Sequence, residues 1–114
     1  MSVKNILIVD DDDAFRLFLK ELLNKSNYHI QVASDGVGAI QLMIDNDFDL
    51  IISDYRMKPL GGAYWIRFLK RFCENTNVVI ISGFLEQEDD IPYPVFYKPI
   101  DTQALLKCID DLNT

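Results

Sequence analysis

The chain has 114 residues and a mass of 13.2 kDa, the size of one domain with its own core and too short for a second folded unit. An apolar fraction of 49% with 25% charged residues excludes wholesale disorder and fibrous repeats. A net charge of −7 argues against nucleic acid or an anionic membrane as a bulk-charge partner and leaves metal ions and basic partners open. The expectation is a single domain over residues 1–114.

The acid excess is uneven. Residues 1–55 carry ten acids and four bases, residues 56–85 one acid and five bases, and residues 86–114 seven acids and two bases. Cys73 and Cys108 lack metal-site spacing, and one histidine, His29, is too little to complete a zinc site with them. No apolar run approaches the roughly 20 residues of a membrane span, and the first residues lack the layout of a secretion signal. Two reduced thiols in a soluble chain point to the cytoplasm.

Apolar runs alternate with amphipathic stretches from end to end. Ile6 to Val9 reads as a strand buried on both faces. After four aspartates, Phe15, Phe18, Leu19, Leu22 and Leu23 recur at helical spacing, with Asp13 or Asp12 suited to cap the helix. His29 to Ala33 is a second strand, and Val37, Ile40, Met43 and Ile44 mark a helix starting near Gly36. Phe48 to Ser53 is a third strand, followed by a loop from Met57 to Gly62 and a helix carrying Trp65, Ile66, Leu69 and Phe72. Val78 to Ser82 is a fourth strand and Val95 to Tyr97 a short fifth one. Asp101 then caps a last helix with Ala104, Leu105, Ile109 and Leu112 on its apolar side. The acidic stretch from Gly83 to Pro94 leaves little room for a helix. This order implies an α/β fold, a doubly wound parallel sheet with helices on both faces.

In such a sheet the strands' C-terminal ends share one edge, and ligands bind outside it. The polar residues closing the strands should therefore meet there: Asp10 and Asp11, then Asp54, Ser82 and Lys98. Crowded carboxylates repel, and a hard divalent cation relieves the repulsion. Magnesium suits the set because it takes oxygen ligands and commonly bridges carboxylates to a phosphoryl group. A lysine and a hydroxyl beside it suit the remaining phosphoryl oxygens, so the pattern points to phosphoryl transfer with a carboxylate nucleophile.

Taken one at a time, these residues have plainer explanations. Asp12 and Asp13 serve as helix-start charges, Asp54 as a loop acid beside Arg56, Ser82 as a strand-end hydrogen-bonder and Lys98 as a surface charge. Convergence on one edge favours the site.

ILIVDDDDAFR at residues 6–16, IISDYRM at 51–57, VVIISG at 78–83 and YKP at 97–99 together resemble the response-regulator receiver domains of two-component signalling. The resemblance spans essentially the whole chain. It implies a five-stranded CheY-like, flavodoxin-like sheet in the order 2-1-3-4-5, here with a shortened or irregular fourth helix. It also implies Asp54 as phosphoacceptor, and a Mg2+ site formed by Asp10, Asp11, Asp54 and the backbone carbonyl of Arg56. Ser82 and Lys98 would engage the phosphoryl group, and the Lys98–Pro99 peptide would be cis. The implied donor is a sensor histidine kinase or a phosphotransfer protein. The implied output goes to a downstream protein or effector domain, with no direct contact to nucleic acid or membrane and no turnover of a separate substrate.

Two departures from the family pattern stand out. Lys58 follows Met57 where a proline is usual, with the proline displaced to Pro59. Val95 occupies the position three before the lysine that often holds a switching aromatic, with Phe96 and Tyr97 following it. Two rival readings fit part of the pattern. One is a pseudo-receiver that binds partners without phosphorylation. The other is a phosphatase of the haloacid-dehalogenase type using Asp10 and Asp12, which leaves Asp54 unused and has Ala14 where Thr or Val is usual.

Overall fold

A computed structural model describes residues 3–83 and 90–113. Five strands and four helices follow in the order β1 (Asn5–Val9), α1 (Asp13–Asn24), β2 (His29–Ala33), α2 (Gly36–Asp45), β3 (Leu50–Asp54), α3 (Gly62–Phe72), β4 (Asn77–Ser82), β5 (Val95–Tyr97) and α4 (Thr102–Leu112). All pairings are parallel and the sheet order is β2-β1-β3-β4-β5, as expected. Residues 84–89, where a shortened fourth helix and most of the acidic run Glu86 to Asp90 were expected, lie outside the described residues. Among the described residues between β4 and β5 there is no helix.

Strand side chains alternate between two apolar layers. Leu7, Val9, Ile51, Val78 and Ile80 face Ala39 of α2 and Trp65, Ile66 and Leu69 of α3. Ile6, Ile8, Leu50, Ile52, Val79 and Ile81 face Leu19 and Leu23 of α1 and Leu105 and Ile109 of α4. Burying one such Leu or Ile fully is worth about 1.5–3 kcal/mol, so the two layers supply most of the driving force. Cys73 packs against the first layer and Cys108 against the second, which keeps the thiols on opposite faces of the sheet.

The helix faces differ in places from the periodic reading. Val37 and Ile44 are exposed, whereas Ile40 and Met43 face inward as expected, joined by Ala39 and Leu42. Phe18 is likewise exposed, and Ala104 lies on the outer side of α4. Single apolar residues on a folded surface are ordinary, so these few outward side chains cost little. The cap of α1 is Asp12, whose carboxylate accepts from the N–H groups of Ala14 and Phe15. Asp13 is a first-turn acid paired with Arg16. Asp101 caps α4 as expected.

Among the described residues no helix is long and apolar enough to cross a membrane.

Candidate functional site

The first strand ends one residue before Asp10, whose N–H donates to the Ala33 carbonyl of β2 at 3.1 Å. That bond extends the ladder by one position and holds Asp10 at the C-terminal edge, where it is 1% exposed. Its carboxylate accepts the Asp12 N–H at 2.8 Å, and its carbonyl accepts from the Arg16 guanidinium at 2.7 Å. Asp11 points outward beside it and is exposed. Asp54 is the last residue of β3 and is 7% exposed. Asp10, Asp11 and Asp54 each bring a carboxylate oxygen within 4.8 Å of the others, an all-oxygen donor set of the kind a hard divalent cation takes. Asp12 stands outside this set, its carboxylate accepting two backbone N–H groups at the start of α1.

Lys98 follows β5 and lies opposite the acids. Its ammonium is 3.2 Å from Asp10 Oδ2 and 3.7 Å from Asp54 Oδ2, and 4.4 Å from the centre of the Phe15 ring. The ring face attracts the cation and shields one side of it from water. By sequence spacing alone Phe15 belongs to the apolar side of α1. Its place one turn into the helix that follows the aspartates was the signal that it borders the same edge. Backbone pairing fixes the lysine, since its N–H donates to the Ser82 carbonyl at 2.9 Å. The Lys98–Pro99 peptide is cis, as expected, and so is Lys58–Pro59. Ser82 is fully buried at the end of β4.

Burial sets the protonation of the two inner acids. It pushes Asp10 up from the ordinary value, against the Asp12 N–H bond and the Lys98 ammonium, which favour the charged form. Burial again comes first for Asp54, followed by the charge of Asp10, and together they push its carboxyl up to about 6, with Lys98 opposing. The cluster thus holds more negative charge than one ammonium offsets, which is the condition a bound cation relieves.

Beside the acids lies an open cleft of about 560 Å³ lined by Asp11, Tyr55, Arg56, Met57, Lys58 and the start of α3. Arg56 and Lys58 are exposed on its wall while Tyr55 and Met57 are buried beneath it, so the loop alternates inward anchors with outward cations. The loop is closed by a 2.6 Å bond from the Gly62 N–H to the Tyr55 carbonyl. A Cβ on Gly61 would stand 2.5 Å from the Met57 nitrogen and 2.6 Å from its carbonyl oxygen, and Gly62 has φ +61. Both glycines are therefore required by this turn. Gly61→Ala should open the loop and lower stability by about 1–3 kcal/mol, read as a lower urea midpoint. An unchanged midpoint would show that the turn tolerates a side chain.

Of the residues singled out from sequence, Asp10, Asp11, Asp54 and Lys98 meet directly. Ser82 and Arg56 sit on the same edge, at the end of β4 and on the cleft wall. At the position of the expected aromatic switch, Val95 is half-buried against the α2–α3 layer, Phe96 packs against the opposite layer and Tyr97 is exposed.

A parallel sheet in this order, with acids and a lysine at its C-terminal edge, defines a receiver fold. Residues 6–110 match the family described as response regulator receiver domain, and the chain belongs to that family. It is similar to the sporulation initiation phosphotransferase F of Bacillus subtilis, with 30% identity over 75% of this chain and 69% of that one. The response regulator receiver protein CpdR of Brucella abortus is 27% identical over 96% of this chain and 97% of that one. Among solved structures, the receiver domain of Francisella response regulator 1452 superposes with a TM-score of 0.83 at 26% identity, covering 96% of both chains. The receiver domain of an HD domain-containing protein from Pseudomonas fluorescens shares the fold with a TM-score of 0.87 at 24% identity, over 96% of this chain and 94% of that one.

Proposed function

We propose that this domain accepts a phosphoryl group on Asp54 from a phosphohistidine of a sensor histidine kinase or phosphotransfer protein. The observation that carries the reading is the meeting of Asp10, Asp11 and Asp54 within 4.8 Å, faced by the Lys98 ammonium. Asp10, Asp11, Asp54 and the Arg56 carbonyl are the groups that would hold Mg2+. Bound there, the ion supplies positive charge to the transferring phosphoryl oxygens.

The residues of the chain do the rest. The ionised Asp54 carboxylate attacks phosphorus while the P–N bond to the donor imidazole breaks, leaving an acyl phosphate on Asp54, and the departing imidazole nitrogen takes a proton from solvent. With its carboxyl up at about 6, Asp54 is mainly ionised at neutral pH and so competent to attack. Lys98 offers its ammonium to a phosphoryl oxygen, and the Ser82 hydroxyl donates to another. Attack of water on the acyl phosphate releases inorganic phosphate and returns free Asp54, so the domain resets itself and turns over no separate substrate. A cytoplasmic location, where such donors act, and output through a protein surface belong to the same reading.

Incubation with Mg2+ and acetyl phosphate should add one phosphoryl mass to the wild-type protein and none to Asp54→Asn. An absence of Asp54-dependent mass gain, or of Asp54-dependent beryllofluoride binding, overturns the reading. One observation favours a phosphorylation-independent interaction module instead: the loop after Asp54 departs from the family pattern, with exposed Lys58 where a proline is usual, on the wall of the cleft beside the acids. That alternative requires partner binding that is unchanged in Asp54→Ala.

A further inference from the structure

Beneath Asp54 lies a hydrogen-bonded pair that the proposed chemistry does not use. The β1–β3 pairing ends at Val9 and Ser53, whereas the β3–β4 pairing continues to Asp54 and Ile81. At Asp54 the strand therefore has a neighbouring strand on one side only. The Ser53 hydroxyl donates to the Asp54 carbonyl at 2.8 Å, supplying a donor where the β1 ladder has stopped. The Trp65 indole N–H in turn donates to Ser53 Oγ at 2.8 Å. Ser53 and Trp65 are both fully buried, and the Trp65 ring stacks on Phe68 with centroids 5.5 Å apart.

A buried tryptophan needs an acceptor for its N–H, and this alone accounts for the Trp65–Ser53 bond. It does not account for the second bond, which carries the contact on to the Asp54 peptide. With the indole occupying one lone pair of Oγ, the hydroxyl proton is directed to the Asp54 carbonyl, and the two bonds polarise one another. The rigid core of α3 is thereby fixed to the peptide from which the Asp54 side chain leaves the sheet.

We propose that Trp65 and Ser53 are positioning residues for Asp54, holding its peptide so that the carboxylate emerges toward Asp10, Asp11 and Lys98. The inference rests on the reading of Asp54 as phosphoacceptor. It makes α3, through its own tryptophan, the helix that senses a change at that residue.

The chain contains one tryptophan, so its indole N–H gives a single resonance. That signal should shift when Mg2+ and beryllofluoride are added to the wild type and stay in place in Ser53→Ala. Trp65→Phe and Ser53→Ala should each slow phosphorylation of Asp54 by acetyl phosphate roughly three- to tenfold, through misplacement of the nucleophile. The double variant should be no slower than Ser53→Ala, and Ser53→Thr, which keeps the hydroxyl, should recover most of the rate. Rates are compared under conditions where urea titration shows every variant folded. Wild-type rates in both single variants, or an unmoved indole signal in wild type that binds beryllofluoride, overturn this inference alone. A wild type that takes neither phosphoryl group nor beryllofluoride overturns the phosphoacceptor reading first and the positioning role with it.

Discussion

Without divalent cation, Asp54→Asn is expected to be more stable than wild type at neutral pH, and to lose that advantage on acidification. Asp54 is 7% exposed, and burial together with the neighbouring Asp10 charge pushes its carboxyl from the ordinary 3.8 up to about 6. In the unfolded chain the group releases its proton near the ordinary value; in the folded chain it holds the proton until near 6. Between those limits the folded state binds more protons, so wild-type stability falls as pH rises through that window. Above it the full cost of the buried charge is present, about 1–3 kcal/mol. Asparagine carries no charge and escapes it. Urea midpoints of both proteins in EDTA, taken from about pH 4 to pH 8, should diverge on the alkaline side and converge on the acid side. Adding Mg2+ should raise the wild-type midpoint more than that of the variant, because binding to the folded state alone stabilises it and the variant lacks one ligand. Parallel midpoints across the whole range would show that Asp54 is not held at the expense of stability.

The order of elements and the edge on which the acids gather were legible in the sequence for one physical reason. Buried parallel strands read as continuous apolar runs, as in Ile6 to Val9 and Leu50 to Ile52, and polar residues that interrupt such runs fall at strand ends. Asp10, Asp54, Ser82 and Lys98 stand out in that way. Helix faces were less legible. Val37 and Ile44 fit an apolar spacing as well as Ala39 and Leu42 do, and only the packing of α2 on the sheet decides between them. The cap of α1 was ambiguous because four successive aspartates are each competent to cap. The end of β1 at Val9 and the Asp10 bond to Ala33 fix the register and leave the cap to Asp12. The Trp65–Ser53 bond joins residues twelve positions apart across a helix–sheet contact, and no local pattern marks it.

Replacing Lys98 with alanine should move cation affinity and phosphoryl transfer in opposite directions. The ammonium lies 3.2 Å from Asp10 and 3.7 Å from Asp54, so it already offsets part of the negative charge that would draw the cation. Removing it strips a competing positive charge from the site and leaves two inner acids less compensated. Mg2+ affinity should then rise by about tenfold, equivalent to about 1.4 kcal/mol of relieved repulsion. Transfer, by contrast, loses the charge that meets a phosphoryl oxygen, and the phosphorylation rate with acetyl phosphate should fall by roughly a hundredfold. The metal-free variant should also be less stable at neutral pH by about 1–3 kcal/mol. The lysine side chain is 25% exposed, so solvent screens part of the attraction and the loss stays below that of a fully buried pair. Mg2+ titration followed by Trp65 fluorescence gives the affinity, and mass gain over time gives the rate. A parallel fall in both would mean that Lys98 organises the acids rather than competes for them. Tighter binding with slower transfer would identify its charge as held in reserve for the phosphoryl group.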